Sequence, residues 1–332
     1  MKVAVIGSGS WGTAICHLLG TKGYDVALWS FDQDVPEAIN ETHHNPIYLT
    51  DVELPGTWCS NDIARVAGGA DAVVVVCPSS FVRTTVAGLV GIIGNDTPVV
   101  ILSKGIEEGT GLTMLGVLED VLGNPGRLAA LSGPNHAEEV GHEMIAATTV
   151  ASSSQECAEF FQELFHTPYF RVYTSSDVTG VEVCAAAKNV MAIANGMLVA
   201  MELGDDASAA LMTRGLAEMS RLVDALGGDP RTCVGLSGVG DLIVTCTSPH
   251  SRNRSLGEEL VAGGTLEGYQ ARTHMVAEGA VACRTVTDVA RGLGVEMPIA
   301  EAVRSVLAGE RTPQECVGLL IDRPQRTELD EA

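Results

Sequence analysis

The chain has 332 residues, of which 46% are apolar, 19% charged and 4% aromatic. That length accommodates two domains of ordinary size with a cleft between them, and the composition excludes disordered and fibrous classes. A formal charge of -22, from 20 basic and 42 acidic residues, excludes a protein that grips a nucleic-acid backbone, because neutralising phosphates requires a basic face.

Nine cysteines occur without a C-x-x-C pair, and no signal sequence is read ahead of the first strand, so the expectation is reduced thiols in a cytoplasm. Metal binding is not expected. His136 and His142, flanking acidic residues, fall about 240° apart on a helix and cannot share a ligand face. Lysine is scarce: Lys2, Lys22, Lys104 and Lys188 are the four in the chain, which draws attention to the two that lie far from the N-terminus.

From the N-terminus, Val3–Ile6 reads as a buried strand, Gly7-Ser8-Gly9-Ser10-Trp11-Gly12 fills the G-x-G-x-x-G pattern, and Trp11–Leu19 has helical apolar spacing. In that context each glycine has a task. Gly7 permits the tight turn, Gly9 lets backbone approach a pyrophosphate, Gly12 lets the helix pack close, and the helix N-terminus meets the anion. The second strand ends at Trp29-Ser30-Phe31-Asp32. An acid there would select the ribose of NAD and a base the phosphate of NADP. Ser30 and Phe31 are neither and Asp32 comes late, so the choice between NAD(H) and NADP(H) stays open.

Strand-like runs follow at Ala72–Cys77, Pro98–Leu102, Leu128–Leu131 and Ile145–Ala151, with helical patterns between several of them. This is an α/β, doubly wound (Rossmann) parallel sheet to about residue 172. Ligands in such sheets sit off the carboxyl ends of strands, where Pro78-Ser79, Ser103-Lys104-Gly105 and Ser132-Gly133-Pro134-Asn135 fall. Lys104 is there an anion or carbonyl contact, or a solvated loop lysine.

After Tyr173 the pattern becomes helical. Ser175–Asp177 offer a cap, and Leu211–Leu226, Ser255–Ala262, Val276–Leu293 and Ile299–Ala308 read as later helices of an all-α C-terminal domain. The expected division is residues 1–174 for the dinucleotide, 175–325 for substrate and catalysis, and an acidic tail, 326–332.

The first of these helices holds an anomaly. From Val183 to Met201 the one charged side chain is Lys188. A membrane span is disfavoured, since a central lysine costs roughly 2.5 to 3.5 kcal/mol on insertion. At 100° per residue Val181, Cys184, Lys188, Ala192, Asn195 and Val199 share one stripe, flanked by Asn189. A buried amine tends to a depressed pKa that suits proton transfer. Burial alone leaves open a lysine that merely pairs with an acid.

Gly238–Gly257, GVGDLIVTCTSPHSRNRSLG, bears on that choice. Pro249 interrupts the chain, Ser251 can cap a new helix, and Arg252 and Asn253 occupy its first turn, so free amides and a guanidinium converge as a phosphate site requires. Surface arginines pairing with a very acidic protein are the competing account. Asp241 and Thr245 lie upstream as candidate orienting groups.

Taken together, GSGSWGTA, SKGIE, LSGPNHAEE, AAAKNVMAIANG, GVGDLIVTCTSPHSRNRSLG and VAEGAVACRTV resemble, nearly end to end, the NAD(P)-dependent glycerol-3-phosphate dehydrogenase family. The resemblance implies reduction of dihydroxyacetone phosphate to sn-glycerol 3-phosphate for glycerophospholipid synthesis, with a homodimer as the family habit. By motif it makes Lys188 the catalytic proton donor and places Lys104 beside both substrate and cofactor. Gly133, Asn135, Asn189, Asp241 and Thr245 line the substrate site, and Ser251, Arg252 and Asn253 bind phosphate. Ser10, Trp11, Ala137, Val276 and Glu278 touch the cofactor, with Arg252 shared. The chain departs from the family at Asn135 and His136, where a serine or threonine and an aromatic are usual, and at the second strand end, which lacks a basic residue often seen with NADPH.

Two other readings fit part of this pattern: a 3-hydroxyacid or 6-phosphogluconate-type dehydrogenase of similar plan, and a non-catalytic NAD(P)H-binding sensor. The Ser251-Arg252-Asn253 segment speaks against the first. The joint presence of Lys104, Lys188 and Asp241 speaks against the second.

Overall fold

The structure, a computed structural model, describes residues 1–273, 278–325 and 327–328. Strands and helices alternate first: β1 (Lys2–Ile6), α1 (Ser10–Thr21), β2 (Asp25–Trp29), α2 (Val35–Thr42), β3 (Thr57–Ser60), α3 (Ile63–Ala67), β4 (Ala72–Val75), α4 (Val82–Ala87), β5 (Val99–Ile101), α5 (Met114–Leu122), β6 (Leu128–Ser132), α6 (Ala137–Gly141), β7 (Ala146–Ala151), α7 (Gln155–Phe165) and β8 (Phe170–Ser175). They form one sheet of order β3-β2-β1-β4-β5-β6-β7-β8. The order reverses between β1 and β4, which opens a crevice at their carboxyl ends. Apolar clusters cover both faces of the sheet.

The sheet is mostly parallel, as the doubly wound reading expects, with one reversal. β7 runs antiparallel to β6, and β8 is parallel to β7. A strand buried on both faces shows the same apolar run in either direction, so composition does not record its sense. The sheet also gains β3 and β8, which had no strand assignment. Each interleaves apolar with polar or aromatic side chains over four to six residues, too short a pattern to separate from a loop.

From α8 (Val178–Ala200) onward the described residues are helical: α9 (Asp205–Ala225), α10 (Asp241–Thr247), α11 (Arg252–Val261), α12 (Leu266–Thr273), α13 (Glu278–Leu293), α14 (Pro298–Leu307) and α15 (Pro313–Ile321). The Asp177 carboxylate accepts from the Gly180 amide and starts α8 as expected. α9 begins six residues before the expected Leu211, after Gly204 and with Asp205 and Asp206 in its first turn, where acids suit the helix dipole. Val276 lies outside the described residues, as does most of the acidic tail.

Every residue of α8 from Gly180 to Leu198 is buried. Although α8 is long and apolar enough to cross a membrane, 89% of its apolar window is enclosed by the protein itself, with α9, α10, α11, α13 and α14 packed around it. The closest crossing is with α11. A Cβ on Gly196 would stand 2.1 Å from the Arg254 carbonyl oxygen, and one on Gly257 the same distance from that of Ile193. The two glycines let the backbones touch, and this brings the start of α11 beside the middle of α8.

Candidate active site

The glycine turn is built for an anion. Gly7 has φ of 128° and its missing Cβ would lie 2.9 Å from the Val76 carbonyl oxygen, while a Cβ on Gly12 would strike the Gly7 oxygen at 1.9 Å. Around Gly9, by contrast, a Cβ would meet nothing within 4 Å. Gly9 is also the N-cap of α1 and no side chain caps it. Open space against uncapped amides at a twelve-residue helix start fits a dinucleotide pyrophosphate. Trp11, in the first turn, packs edge-on against Phe170 with ring centres 6.4 Å apart.

Asn45, absent from the sequence assignment, locks this turn from behind. It is fully buried, its amide donates to the Ser8 carbonyl at 2.9 Å and the Thr13 hydroxyl at 2.8 Å, and its Oδ1 accepts from the Ile47 and Tyr48 amides. No motif signals it, because the turn residues it holds, Ser8 and Thr13, lie more than thirty residues away. Ser30 is also an internal brace. The residue is fully buried, with its hydroxyl 2.7 Å from that of Ser8 and bonded to the Asp32 carbonyl. Phe31 is the exposed member of that segment, at 79%, and Phe81, beyond β4, offers a second exposed ring at the sheet's carboxyl edge.

Across the crevice, Asp241 joins two lysines. Its Oδ1 accepts from Lys188 Nζ at 2.8 Å and its Oδ2 from Lys104 Nζ at 2.7 Å. Lys188 also donates to Thr245 Oγ1 at 2.7 Å, and Lys104 reaches the Gly133 carbonyl at 3.4 Å. A single turn of π-helix, Leu236–Gly240, sets the aspartate at the head of α10, and Ser132 Oγ supports its Oδ2 at 3.4 Å. Lys188, Asp241 and Thr245 are all buried. The stripe on α8 therefore faces α10 and the segment before it: Asn195 donates to the Cys246 carbonyl, and Cys184 Sγ lies 3.5 Å from Cys233 Sγ.

Two positive charges share one negative, so the cluster carries a net charge of about +1 in a low-dielectric setting. Burial, aided by Lys104, lowers the Lys188 pKa to about 8 against the pull of Asp241. Burial pushes Asp241 upward, but the two ammonium groups outweigh it and hold the carboxyl below its ordinary range. The pair thus keeps a protonated amine near its titration point, as a general acid at neutral pH requires.

Ser251, Arg252 and Asn253 open α11, which packs against α8. Ser251 caps α11 by accepting from the Arg254 amide at 3.2 Å. Arg252 is exposed and its guanidinium makes no ion pair among the described residues, whereas Arg254 is held by Glu258. Asn253 links α11 to its neighbours, donating to Asn189 Oδ1 at 2.9 Å and accepting from the Gly279 amide at 3.0 Å. Glu278 opens α13, which packs against α8. Ala137 is the first residue of α6. The Asn135 amide is committed to the Pro134 and Ala147 carbonyls, both at 2.9 Å.

A Rossmann sheet joined to helices that bury Lys188 against Asp241, with the half-buried Lys104 on the same carboxylate, defines the class of nicotinamide-dependent oxidoreductases. Residues 2–158 match the family described as NAD-dependent glycerol-3-phosphate dehydrogenase N-terminus, and residues 177–318 match its C-terminus. The chain is 44% identical over 330 residues to a glycerol-3-phosphate dehydrogenase [NAD(P)+] of Thermobifida fusca, covering 98% of both, and 43% identical over 330 residues to one of Salinibacter ruber, covering 98% of this chain and 96% of the relative. It superposes on the crystal structure of glycerol-3-phosphate dehydrogenase from Coxiella burnetii with a TM-score of 0.92 and 34% identity, covering 97% of this chain and 99% of that one. The protein belongs to the NAD-dependent glycerol-3-phosphate dehydrogenase family. Membership decides against the 3-hydroxyacid and 6-phosphogluconate-type plans and against a non-catalytic sensor, and makes NAD(H) or NADP(H) the cofactor.

Proposed function

We propose that the protein interconverts dihydroxyacetone phosphate and sn-glycerol 3-phosphate, with Lys188 as the group that moves the proton. The observation that carries the residue assignment is the Asp241 carboxylate held between Lys188 and Lys104. The nicotinamide dinucleotide, when bound, supplies or accepts hydride. As negative charge builds on the substrate carbonyl oxygen, Lys188 Nζ gives it a proton and Lys104 adds a second positive charge close by. Asp241 and Thr245 fix the lysine's position, and in the reverse direction the neutral amine takes the proton back. The first-turn amides of α11 with Arg252 and Asn253 hold the phosphate, and that remote grip orients the reacting carbon.

On this reading residues 1–174 serve the dinucleotide and residues 175–325 the substrate. The product supplies glycerophospholipid synthesis in the cytoplasm, and the working form is a homodimer. The test is oxidation of NADH and of NADPH, side by side, on addition of dihydroxyacetone phosphate, repeated with Lys188→Ala. That variant should lose roughly 10²–10⁴-fold in turnover while still binding dinucleotide. Full activity without the lysine would remove it from the mechanism.

A further inference from the structure

Two consecutive residues in the loop between β6 and α6 have buried polar atoms with no partner: Asn135 Oδ1 and His136 Nε2. Native folds leave few such atoms, and those at a crevice are commonly completed by a ligand or water. His136 occupies the N-cap of α6 without capping it through its side chain. Its ring instead lies against His250, with centroids 5.9 Å apart and planes tilted by 59°. His250 immediately precedes Ser251, the cap of the proposed phosphate helix. The histidine pair therefore bridges the loop after β6 and the start of α11.

We propose that His136 is a substrate-binding residue whose Nε2 donates to the phosphate group held at the start of α11. The inference rests on the phosphate assignment of the preceding section and deepens it. A neutral imidazole protonated at Nε2 makes one such bond, and an imidazolium makes a stronger, charge-assisted one. Asn135 Oδ1, which can only accept, suits a hydroxyl of the same molecule.

The groups that set the charge of His136 come from every neighbouring element. Burial and Lys188 on α8 disfavour the imidazolium, and Glu138 and Glu139 on α6 and Asp241 on α10 favour it. In the free protein burial lowers the ring's pKa. A bound phosphate anion reverses that balance, so binding gains strength as pH falls toward the histidine range.

The experiment uses the full chain and two variants. His136→Phe keeps a planar ring without a donor, and His136→Gln keeps a donor that does not titrate. Glycerol 3-phosphate binding is measured by calorimetry, and KM for dihydroxyacetone phosphate and for the dinucleotide by initial rates, between pH 6 and 8.5, with thermal melting to establish that each variant is folded. Taking each variant relative to the unmodified protein cancels titration of the phosphate itself. His136→Phe should weaken glycerol 3-phosphate binding about tenfold near pH 6.5, with the loss shrinking toward pH 8.5. His136→Gln should restore part of the affinity, and the dinucleotide KM should not move. Unchanged affinity in His136→Phe overturns the proposal, as does a loss of equal size at every pH in both variants, which would mark a packing role. If the unmodified protein itself fails to bind glycerol 3-phosphate, the phosphate assignment falls first.

Discussion

Asp241→Asn removes the carboxylate that Lys104 and Lys188 share while keeping its shape, and so isolates what its charge does for the proton donor. The contacts are 2.7 and 2.8 Å and the aspartate is buried. At an effective dielectric of about 20, opposite charges about 4 Å apart attract by roughly 4 kcal/mol, which is about three pKa units at 1.36 kcal/mol each. Lys188 starts from about 8. Losing even half of that attraction would bring it to roughly 6.5. Reduction requires the protonated amine, so its rate falls as pH rises through the lysine pKa, and oxidation, which requires the neutral amine, rises over the same range. At pH 7.5 the protonated fraction would drop from about three-quarters to about one-tenth, an eightfold loss in the reduction rate from titration alone. Initial rates followed by reduced-nicotinamide absorbance at saturating substrate, from pH 6 to 9.5 in both directions, give the two midpoints. A reduction rate that does not decline through pH 8 in the unmodified protein, or an unshifted midpoint in Asp241→Asn, would refute the argument.

Arg252→Ala should raise KM for dihydroxyacetone phosphate by tenfold or more, from loss of one charge-assisted bond worth roughly 1.5–3 kcal/mol, and leave the unphosphorylated ketone unaffected. Equal losses with both substrates would place the arginine elsewhere. Asn45→Ala frees the Ser8 carbonyl and the Thr13 hydroxyl; it should cost about 1–3 kcal/mol of stability and weaken dinucleotide affinity measured by nicotinamide fluorescence. Retained affinity would show that the turn holds its shape unaided. Glu218 is buried at the start of α14, where its carboxylate accepts from the Ile299 and Ala300 amides, and burial raises its pKa to about 7. Because the folded state keeps this proton longer than the unfolded chain, stability declines as pH rises from about 4.5 to about 7, by roughly 3 kcal/mol from this group. Denaturant titrations at pH 5 and 7.5 should show that decline reduced in Glu218→Gln, and an identical decline in both proteins would exclude Glu218 as its source.

Much of the site was legible because its signals are local. The glycine turn, the Ser251 cap with Arg252 and Asn253 behind it, and the shared face of Cys184, Lys188 and Asn195 each depend on spacing within one element, and helical periodicity reports such spacing directly. The direction of β7 was not legible, nor were β3 and β8, since apolar character does not encode pairing partner or sense. The inward turn of Ser30 and the brace at Asn45 escaped for a related reason. Each is defined by a hydrogen bond to a residue remote in the chain.

The sequence by itself determined the chemical inventory: a dinucleotide turn, an isolated lysine on an apolar helix, and a helix start suited to phosphate. What the tertiary structure decided is the surroundings of that lysine. Asp241 is 53 residues from Lys188 and 137 from Lys104, and the packing of α10 and of the sheet against α8 brings the three together. Local patterns report which face a side chain occupies, but charge regulation depends on distances in space, and those are set by contacts between elements.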